Sequence, residues 1–195
     1  MTATAVIPIR RTSWSRDVFR IGFGLIWAID ATLKWLPGFR NSFGQTLNGL
    51  ADGQPGWLKP WFDLWGGMGH TEALVFAYLI AVTETSIAIA VIVGFARKVT
   101  YIGAAFYSLM LWAVAEGFGG PYQSGATDIG TAIIYSVVFV GLLVLSACTG
   151  PDRHSVDYHL EQRIPWWWRI AEMRGPEPAI LDLRADEKSE ELVHT

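Results

Sequence analysis

The residues of this sequence best suited to acid–base chemistry are ionisable side chains that interrupt apolar stretches. Asp30 and Lys34 are four residues apart, which places them on one face of a helix, where they can form an ion pair. Glu84, Glu116 and Asp128 are three further acids, so this set contains four carboxyl groups and the single ammonium group of Lys34. Because desolvation and like charges both favour the protonated carboxyl, at least one of these acids is expected to exchange protons. We take Glu84, Asp30 and Lys34 as candidate catalytic residues that handle protons.

The neighbours of these residues favour a buried site. Glu84 lies in a stripe of small residues at helical spacing, which lets helices approach closely: Ala77, Ala81 and Ala88. A charged side chain that faced lipid from the middle of a transmembrane helix would cost about 2.5 to 3.5 kcal/mol of insertion free energy. The charged faces are therefore expected to turn toward the interior of a helix bundle.

A polar turn supplies candidate ligand-contacting residues. It reads AEGFGGPYQSGATDIG, and its glycines and proline favour tight turning. Asp128, Thr131 and Tyr135 follow at i, i+3 and i+7 on one helix face. The candidate ligand-contacting residues are Glu116, Tyr122, Asp128 and Tyr135. Simpler roles stay open, since Glu116 and Asp128 could be hydrated or cap helix ends, and Thr127 or Asp128 is a suitable N-cap for the last helix.

The composition indicates a membrane protein. Hydrophobic residues make up 51% of the 195 residues and charged residues 17%, against about 25% charged in ordinary soluble domains. The net charge is -3 and no basic patch stands out, so nucleic acid is not expected as a partner. The lone Cys148 excludes an intramolecular disulfide and a thiolate zinc site. The sequence contains no motif for haem, flavin, iron–sulfur or metal binding.

Four stretches are long and apolar enough to span a bilayer, which requires about 20 residues. They cover residues 18–36, 72–95, 99–116 and 129–149. Lysine and arginine concentrate before the first stretch, between the second and third, and after the fourth, so both termini are expected to be cytoplasmic. The predicted fold is an all-α membrane protein, a four-transmembrane-helix bundle, with residues 18–150 as the membrane domain and residues 1–17 as a cytoplasmic N-terminus.

Residues 37–71 are predicted to form an outer interfacial segment between the first two spans. Phe39, Phe43 and Leu47 recur at helical spacing, which predicts a short helix at the membrane surface. Three tryptophans then repeat every four residues: Trp57, Trp61 and Trp65. Anchoring at the interface is the simplest role for these aromatic residues, and a lid over a lipid-soluble ligand is the alternative.

Residues 151–195 are predicted to form a cytoplasmic tail. Its first part contains HLEQRIPWWWRI, which combines charges with adjacent tryptophans and is expected to rest on lipid headgroups. Its last part, RADEKSEELVHT, lacks aromatic residues and is expected to be disordered. The tail histidines are expected to face solvent rather than bind metal: His154, His159 and His194.

Three stretches resemble the DoxX/DoxD-like family of integral membrane proteins: RIGFGLIWAIDATLKWLPGF, VTETSIAIAVIVGFARKVTYIGAAFYSLML and EGFGGPYQSGATDIGTAIIY. The family pattern has a lysine ending the first span, a glutamate within the second, a glycine and a basic turn after it, and an acidic residue opening the fourth. These features map onto Lys34, Glu84, residues 94–97 and Asp128, and the resemblance covers residues 18–150.

The resemblance implies a four-helix bundle in the bacterial inner membrane. DoxD-like members are associated with thiosulfate:quinone oxidoreductase. It therefore implies a quinone as ligand and a partner redox subunit as electron source, with this chain as one subunit of a respiratory or sulfur-compound redox complex. A non-catalytic scaffold or assembly factor and a small transporter stay open as alternatives. Membrane lipid is the expected partner, and an oligomer is compatible with the sequence.

We predict that reporter fusions after residue 195 and within residues 95–98 report the cytoplasm, and that a fusion near Gly53 reports the outside, because lysine and arginine resist translocation. Paired alkaline phosphatase and fluorescent protein fusions measure these locations. A C-terminus outside the cell would contradict the predicted topology and would place the charged residues at different depths.

Overall fold

The computed structural model describes residues 13–121, 128–150 and 152–175, and in these ranges the chain consists of helices and connecting turns, with no strand. The all-α class predicted from the sequence is confirmed. Two 3-10 turns lie at Gly56–Leu58 and Gly117–Gly119. The α-helices are α1 Ser13–Lys34, α2 Pro37–Gly49, α3 Lys59–Val93, α4 Arg97–Val114, α5 Thr131–Thr149, α6 Val156–Arg163 and α7 Trp168–Ala171.

A proline separates the first two helices. The residue before a proline is restricted to extended conformations, and Leu36 accordingly has φ -72° and ψ 145°. Pro37 then occupies the first turn of α2, where a missing N–H breaks no helical hydrogen bond. Phe43 and Leu47, four residues apart, are buried in an apolar cluster with Ala77 of α3. The predicted short helix after the first apolar stretch is therefore present.

The helix α3 is divided by a break in its backbone. Glu72 has non-helical φ and ψ angles of -131° and 29°, at the residue where the sequence predicts the second span to begin. The tryptophans that precede this break, Trp57 in the 3-10 turn and Trp61 and Trp65 in α3, do not share one environment. Trp57 is 78% exposed, whereas Nε1 of Trp61 donates a hydrogen bond to the carbonyl of Ala113 at 3.0 Å. Trp61 therefore ties the first half of α3 to α4, in addition to any anchoring role.

The core lies between α1, α3, α4 and α5. The helix α1 packs mainly on α3, and α4 packs mainly on α5. Aromatic rings join the two pairs, since Trp27 on α1 meets both Tyr135 and Phe139 on α5 with ring centroids 5.0 Å apart. Gly24 allows α1 to approach α3 closely, because a Cβ at this position would lie 2.7 Å from Cγ1 of Ile92. The interior of the bundle is thus centred on Trp27.

Residues 152–172, which we call the collar, fold back onto the end of the bundle where α1 begins and α5 ends. Nη1 of Arg16 donates a hydrogen bond to Oγ1 of Thr149 at 2.7 Å, and Nε of Arg20 donates to Oδ2 of Asp152 at 3.1 Å. Arg20 and Asp152 are 2% and 1% exposed, so their ion pair is buried. The first part of the predicted tail therefore belongs to the folded bundle.

The carboxyl group of Asp152 is held in its charged form by the groups around it. Burial alone would favour the neutral acid. The backbone N–H of His154 and the guanidinium groups of Arg20 and Arg16 outweigh burial and lower the pKa of Asp152 below its usual value. From the sequence, this segment is expected to contact lipid headgroups. Its docking onto the bundle could not be predicted, because Arg16 and Arg20, the partners of Asp152, lie more than 130 residues away in the chain. Residues 176–195, with His194 and the predicted disordered stretch, lie outside the described residues.

The turn between α3 and α4 depends on one carboxylate of the collar. Gly94 and Ala96 have φ angles of 68° and 44°, and the second is unfavourable for a residue with a Cβ. Asp157 stabilises this turn by accepting hydrogen bonds from the backbone N–H groups of Ala96 and Arg97 at 2.6 and 2.9 Å. Its carboxylate also accepts from Nε of Arg97 at 3.1 Å and from Nε1 of Trp167 at 2.9 Å. One fully buried acid thus joins α4, α6 and the segment before α7.

By length and apolarity, two segments among the described residues could cross a membrane: Glu72–Val93, the second half of α3, and Thr131–Thr149, which is α5. The helices α1 and α4 stand at the positions of the first and third predicted spans. Each begins with charged residues that pair with the collar, Arg16 and Arg20 in α1 and Arg97 in α4, and these residues lower the mean hydropathy of both helices.

We predict that Asp157→Asn destabilises the protein by about 3 kcal/mol, the lower end of the range for removing one partner of a buried ion pair, because Glu172 still pairs with Arg97. Thermal unfolding in detergent measures the effect. The matched control is Asp63→Asn at an exposed site of α3, which is expected to change stability by less than about 0.5 kcal/mol. Equal destabilisation by both variants would contradict the assigned role of Asp157.

Candidate functional site

The ammonium group of Lys34 bridges two helices. Its Nζ lies 3.1 Å from Oδ2 of Asp30, one turn earlier on α1, and 3.6 Å from Oε2 of Glu84 on α3. The predicted ion pair between Asp30 and Lys34 is present with Glu84 beside it, but the pair is partly exposed, whereas the sequence predicts a buried pair. The side chain of Glu84 is fully buried, while those of Lys34 and Asp30 are 19% and 32% exposed. The three groups therefore form one cluster that is closed at Glu84 and partly open at Asp30.

The two carboxylate oxygens of Glu84 have different surroundings. Oε1 accepts a hydrogen bond from the hydroxyl of Tyr107 on α4 at 3.3 Å. Oε2 accepts no hydrogen bond from the described residues and has Lys34 as its ion-pair partner. The predicted small-residue stripe lies on the same face of α3 as Glu84, and its members are all buried: Ala77, Ala81 and Ala88.

Two residues that form hydrogen bonds with Glu84 are not predicted from the sequence. One is Tyr107, and the other is Trp27, whose Nε1 donates a hydrogen bond to the backbone carbonyl of Glu84 at 3.2 Å. Both lie on other helices, so no spacing along the chain relates them to Glu84. The one available signal is that each is an aromatic residue with a polar hydrogen in an apolar stretch, where such a group needs an acceptor.

Glu116 caps the helix α5 from the end of α4. Its Oε2 accepts a hydrogen bond from the backbone N–H of Ala132 at 3.0 Å, and its Oε1 accepts from that of Thr131 at 3.3 Å. These groups belong to the first turn of the helix, where backbone donors lack intrahelical partners. The capping alternative for Glu116 is confirmed, and α5 begins at Thr131 rather than at residue 129.

The other two predicted contact residues that the structure describes, Asp128 and Tyr135, lie in different surroundings. Asp128 is exposed before the start of α5, where its Oδ1 accepts a hydrogen bond from the backbone N–H of Gly130 at 2.8 Å. It is therefore neither the N-cap of α5 nor a member of the charged cluster. Tyr135 lies on α5 with its ring against Trp27. Thr127 and Tyr122 lie outside the described residues.

A cavity of about 470 Å³ opens beside the cluster, and we call it the charged cavity. Its volume falls in the range of about 300 to 1,000 Å³ that is typical of small-molecule sites. The polar part of its wall includes all three candidate catalytic residues and two of the predicted contact residues: Asp30, Lys34, Glu84, Glu116, Tyr135, Thr46 and Thr131. The apolar part comes from α1, α2, α3, α4 and α5: Trp27, Phe39, Phe43, Leu47, Ile80, Leu111, Ala115 and Ala132.

A second cavity of about 160 Å³, which we call the apolar chamber, adjoins the first between α2, α3 and α4. Five residues line both spaces: Phe43, Leu47, Ile80, Leu111 and Ala115. Four line the chamber alone: Trp65, Phe76, Met110 and Val114. The helix α2 forms part of the wall of both spaces through Phe43 and Leu47, and of the three tryptophans of the outer segment Trp65 lines the chamber.

At the other end of the bundle, Asp17, Asp152 and His154 bring their donor atoms within 4.8 Å of one another, as metal ligands would. Nδ1 of His154 lies 2.7 Å from Oδ2 of Asp17, so this histidine has a carboxylate partner as well as an exposed ring edge. Arg16 and Arg20 bind the same carboxylates. Because two guanidinium groups already neutralise both acids, we assign this cluster to ion pairing.

Comparison with protein-family models, with curated proteins and with solved structures finds no match for this chain.

Loss of Lys34 is expected to be more damaging than loss of Asp30. Lys34→Met leaves the fully buried Glu84 without a cation and is expected to cost about 3 to 5 kcal/mol, whereas Asp30→Asn acts at a partly exposed site and is expected to cost about 1 kcal/mol or less. Thermal unfolding and folded yield in detergent measure both. The exposed Lys59→Met is the matched control.

The double variant Lys34→Met with Glu84→Gln should recover part of the lost stability, since it removes the stranded charge. If Lys34→Met is as stable as Lys59→Met, the ammonium group does not stabilise Glu84 and the assignment of this cluster is wrong.

Proposed function

We propose that this chain is a DoxX-like subunit with four transmembrane helices that binds a lipid-soluble quinone in the charged cavity and exchanges protons with it. The observation that carries the proposal is the fully buried carboxylate of Glu84 in the wall of a cavity that has both polar and apolar sides.

The membrane location rests on the outward faces of the helices. Only 28% of each candidate span is buried inside the molecule, and large apolar residues more than half exposed lie on all four long helices. They are Leu25, Ile26 and Ile29 on α1, Leu74, Leu79 and Ile89 on α3, Val99 and Phe106 on α4, and Ile134, Val137 and Val144 on α5. Monomeric soluble proteins rarely expose apolar patches beyond a few hundred Å². The faces of α1 and α4 thus support two further spans.

The orientation follows from the distribution of positive charge. Arg16, Arg20, Arg97 and Lys98 gather at the collar end, and Nζ of Lys98 donates a hydrogen bond to the carbonyl of Arg169 in the collar at 2.8 Å. Basic residues are retained in the cytoplasm. The collar then lies on the cytoplasmic side, and the charged cavity lies toward the outer leaflet.

The chemistry assigned to the cavity is proton exchange. A quinone accepts two electrons and two protons, and its reduced form carries two hydroxyl groups. During reduction, the protonated form of Glu84 gives one of the two protons to a quinone oxygen from Oε2, and Lys34, 3.6 Å from this oxygen, stabilises the carboxylate that results. The second proton, and the proton that restores Glu84, come from water. Tyr107 holds the other oxygen of Glu84 and so fixes the direction of the carboxylate. The electrons come from a partner redox subunit in this proposal.

Glu84→Gln keeps size and hydrogen bonding but cannot exchange a proton, so it is expected to lower donor-dependent quinone reduction about 100-fold to 10,000-fold. The assay uses membranes containing the chain with the products of neighbouring genes, a quinone analogue, and thiosulfate or sulfide. The matched control is Glu72→Gln, an exposed glutamate on the same helix.

Activity that survives Glu84→Gln would exclude Glu84 from proton exchange. Absence of activity above empty membranes with folded wild-type protein would instead favour the scaffold alternative, in which the hydrogen bond between Tyr107 and Glu84 serves packing.

A further inference from the structure

The buried oxygen Oε2 of Glu84 faces a donor group, the ammonium of Lys34, and their separation of 3.6 Å is longer than a hydrogen bond. Among the described residues no hydrogen bond reaches it, although Glu84 is 0% exposed. Buried carboxylate oxygens without donors are costly, and most buried polar atoms in proteins are hydrogen-bonded. Glu84 lines the charged cavity, so a ligand there can supply the missing hydrogen bond.

The charges around the cavity favour a ligand that donates hydrogen bonds. Glu116 already accepts from the first turn of α5 and needs no further donor. Asp30 and Glu84 share the single ammonium group of Lys34, so two carboxylates face one cation. An anion would add to the excess negative charge, and a ligand with acceptors alone would leave Oε2 of Glu84 without a short hydrogen bond.

The apolar chamber can hold an apolar part of a ligand whose polar part lies in the charged cavity. Its volume of about 160 Å³ is close to the roughly 150 Å³ of a cavity that holds benzene, which suits one branched five-carbon unit of an apolar chain. Leu111 and Ala115 line both the chamber and the charged cavity, so the two spaces are adjacent along α4. The geometry fits an amphiphile with its polar ring in the cavity and the start of its tail in the chamber.

We propose that the site selects the reduced, hydroxylated form of a quinone over the oxidised form, with a ring hydroxyl donating to Oε2 of Glu84 and the first tail unit in the apolar chamber. This inference rests on the proposed function, since it specifies which redox form that site binds more tightly. A hydrogen bond to a charged group corresponds to a preference of about 10-fold or more. A tenfold preference raises the midpoint potential of the bound two-electron couple by about 30 mV, which eases its reduction.

The first test measures binding of a quinone with a ten-carbon tail and of its reduced form to the full chain in nanodiscs at pH 8, under argon, against empty nanodiscs. Bound ligand is extracted and quantified by chromatography. We expect the reduced form to bind at least about 10-fold more tightly. Equal or tighter binding of the oxidised form would overturn this inference and leave the proposed function standing. Binding of neither form would overturn the proposed function itself.

Glu84→Gln tests the contact with Oε2. The amide offers a donor as well as an acceptor, so the preference for the reduced form should fall to about threefold or less, mainly because the oxidised form gains affinity. The exposed Glu72→Gln should keep the wild-type preference. An unchanged preference in folded Glu84→Gln would exclude this oxygen as the selective contact.

A matched pair of substitutions on α4 tests the chamber. Val114 lines the chamber, whereas Val99 is exposed on the same helix, so Val114→Trp fills the space and Val99→Trp does not. Val114→Trp should weaken the tailed hydroquinone at least about 10-fold and leave a hydroquinone with the same ring and no tail unaffected. Equal losses for both ligands, or equal losses in both variants, would exclude the chamber as the tail site.

Discussion

The burial of Glu84 depends on the ammonium group of Lys34, and the arrangement of the charged cavity depends on that contact. Taking a carboxylate out of water costs several kcal/mol, a large part of the 5 to 15 kcal/mol by which folded domains are stable. Lys34 offsets this cost from α1 while Glu84 lies on α3, so the contact fixes how the two helices are placed. Asp30 keeps Lys34 in position from the same helix. The small residues around Glu84 then let the neighbouring helices close over the carboxylate.

Buried charges also require partners at the opposite end of the bundle, where the bundle helices contribute cations to the pairs. There the helices contribute the guanidinium groups of Arg20 and Arg97, and the collar contributes the carboxylates of Asp152 and Asp157. These pairs are buried, so each charge requires its partner. Between the two ionic layers the interior is aromatic and apolar around Trp27 and Phe139. The helices are therefore held in register by polar contacts at both ends and by ring packing between them.

The charged cavity results from residues that are used for other contacts. Glu116 turns toward the first turn of α5, and Tyr107 turns toward Glu84, so neither fills the space between the helices. The helix α2 closes one side with Phe43 and Leu47, which line both the charged cavity and the apolar chamber. A site with one polar and one apolar end suits a lipid-soluble molecule with a polar head.

The sequence by itself determined the four apolar helical stretches and the short helix α2, since periodicity and apolar length require no information beyond the local chain. It did not predict the collar helices α6 and α7. It also determined the ion pair between Asp30 and Lys34, because residues four apart on a helix must lie on one face. The inward direction of Glu84 followed from the alanines at the same spacing. Only the tertiary structure decided that Glu116 caps α5, that Tyr107 and Trp27 contact Glu84, and that the collar docks through Asp152 and Asp157. These contacts join helices that are distant in the chain, and their partners depend on how each helix is rotated and packed, which is set by many weak contacts acting together and by no local spacing.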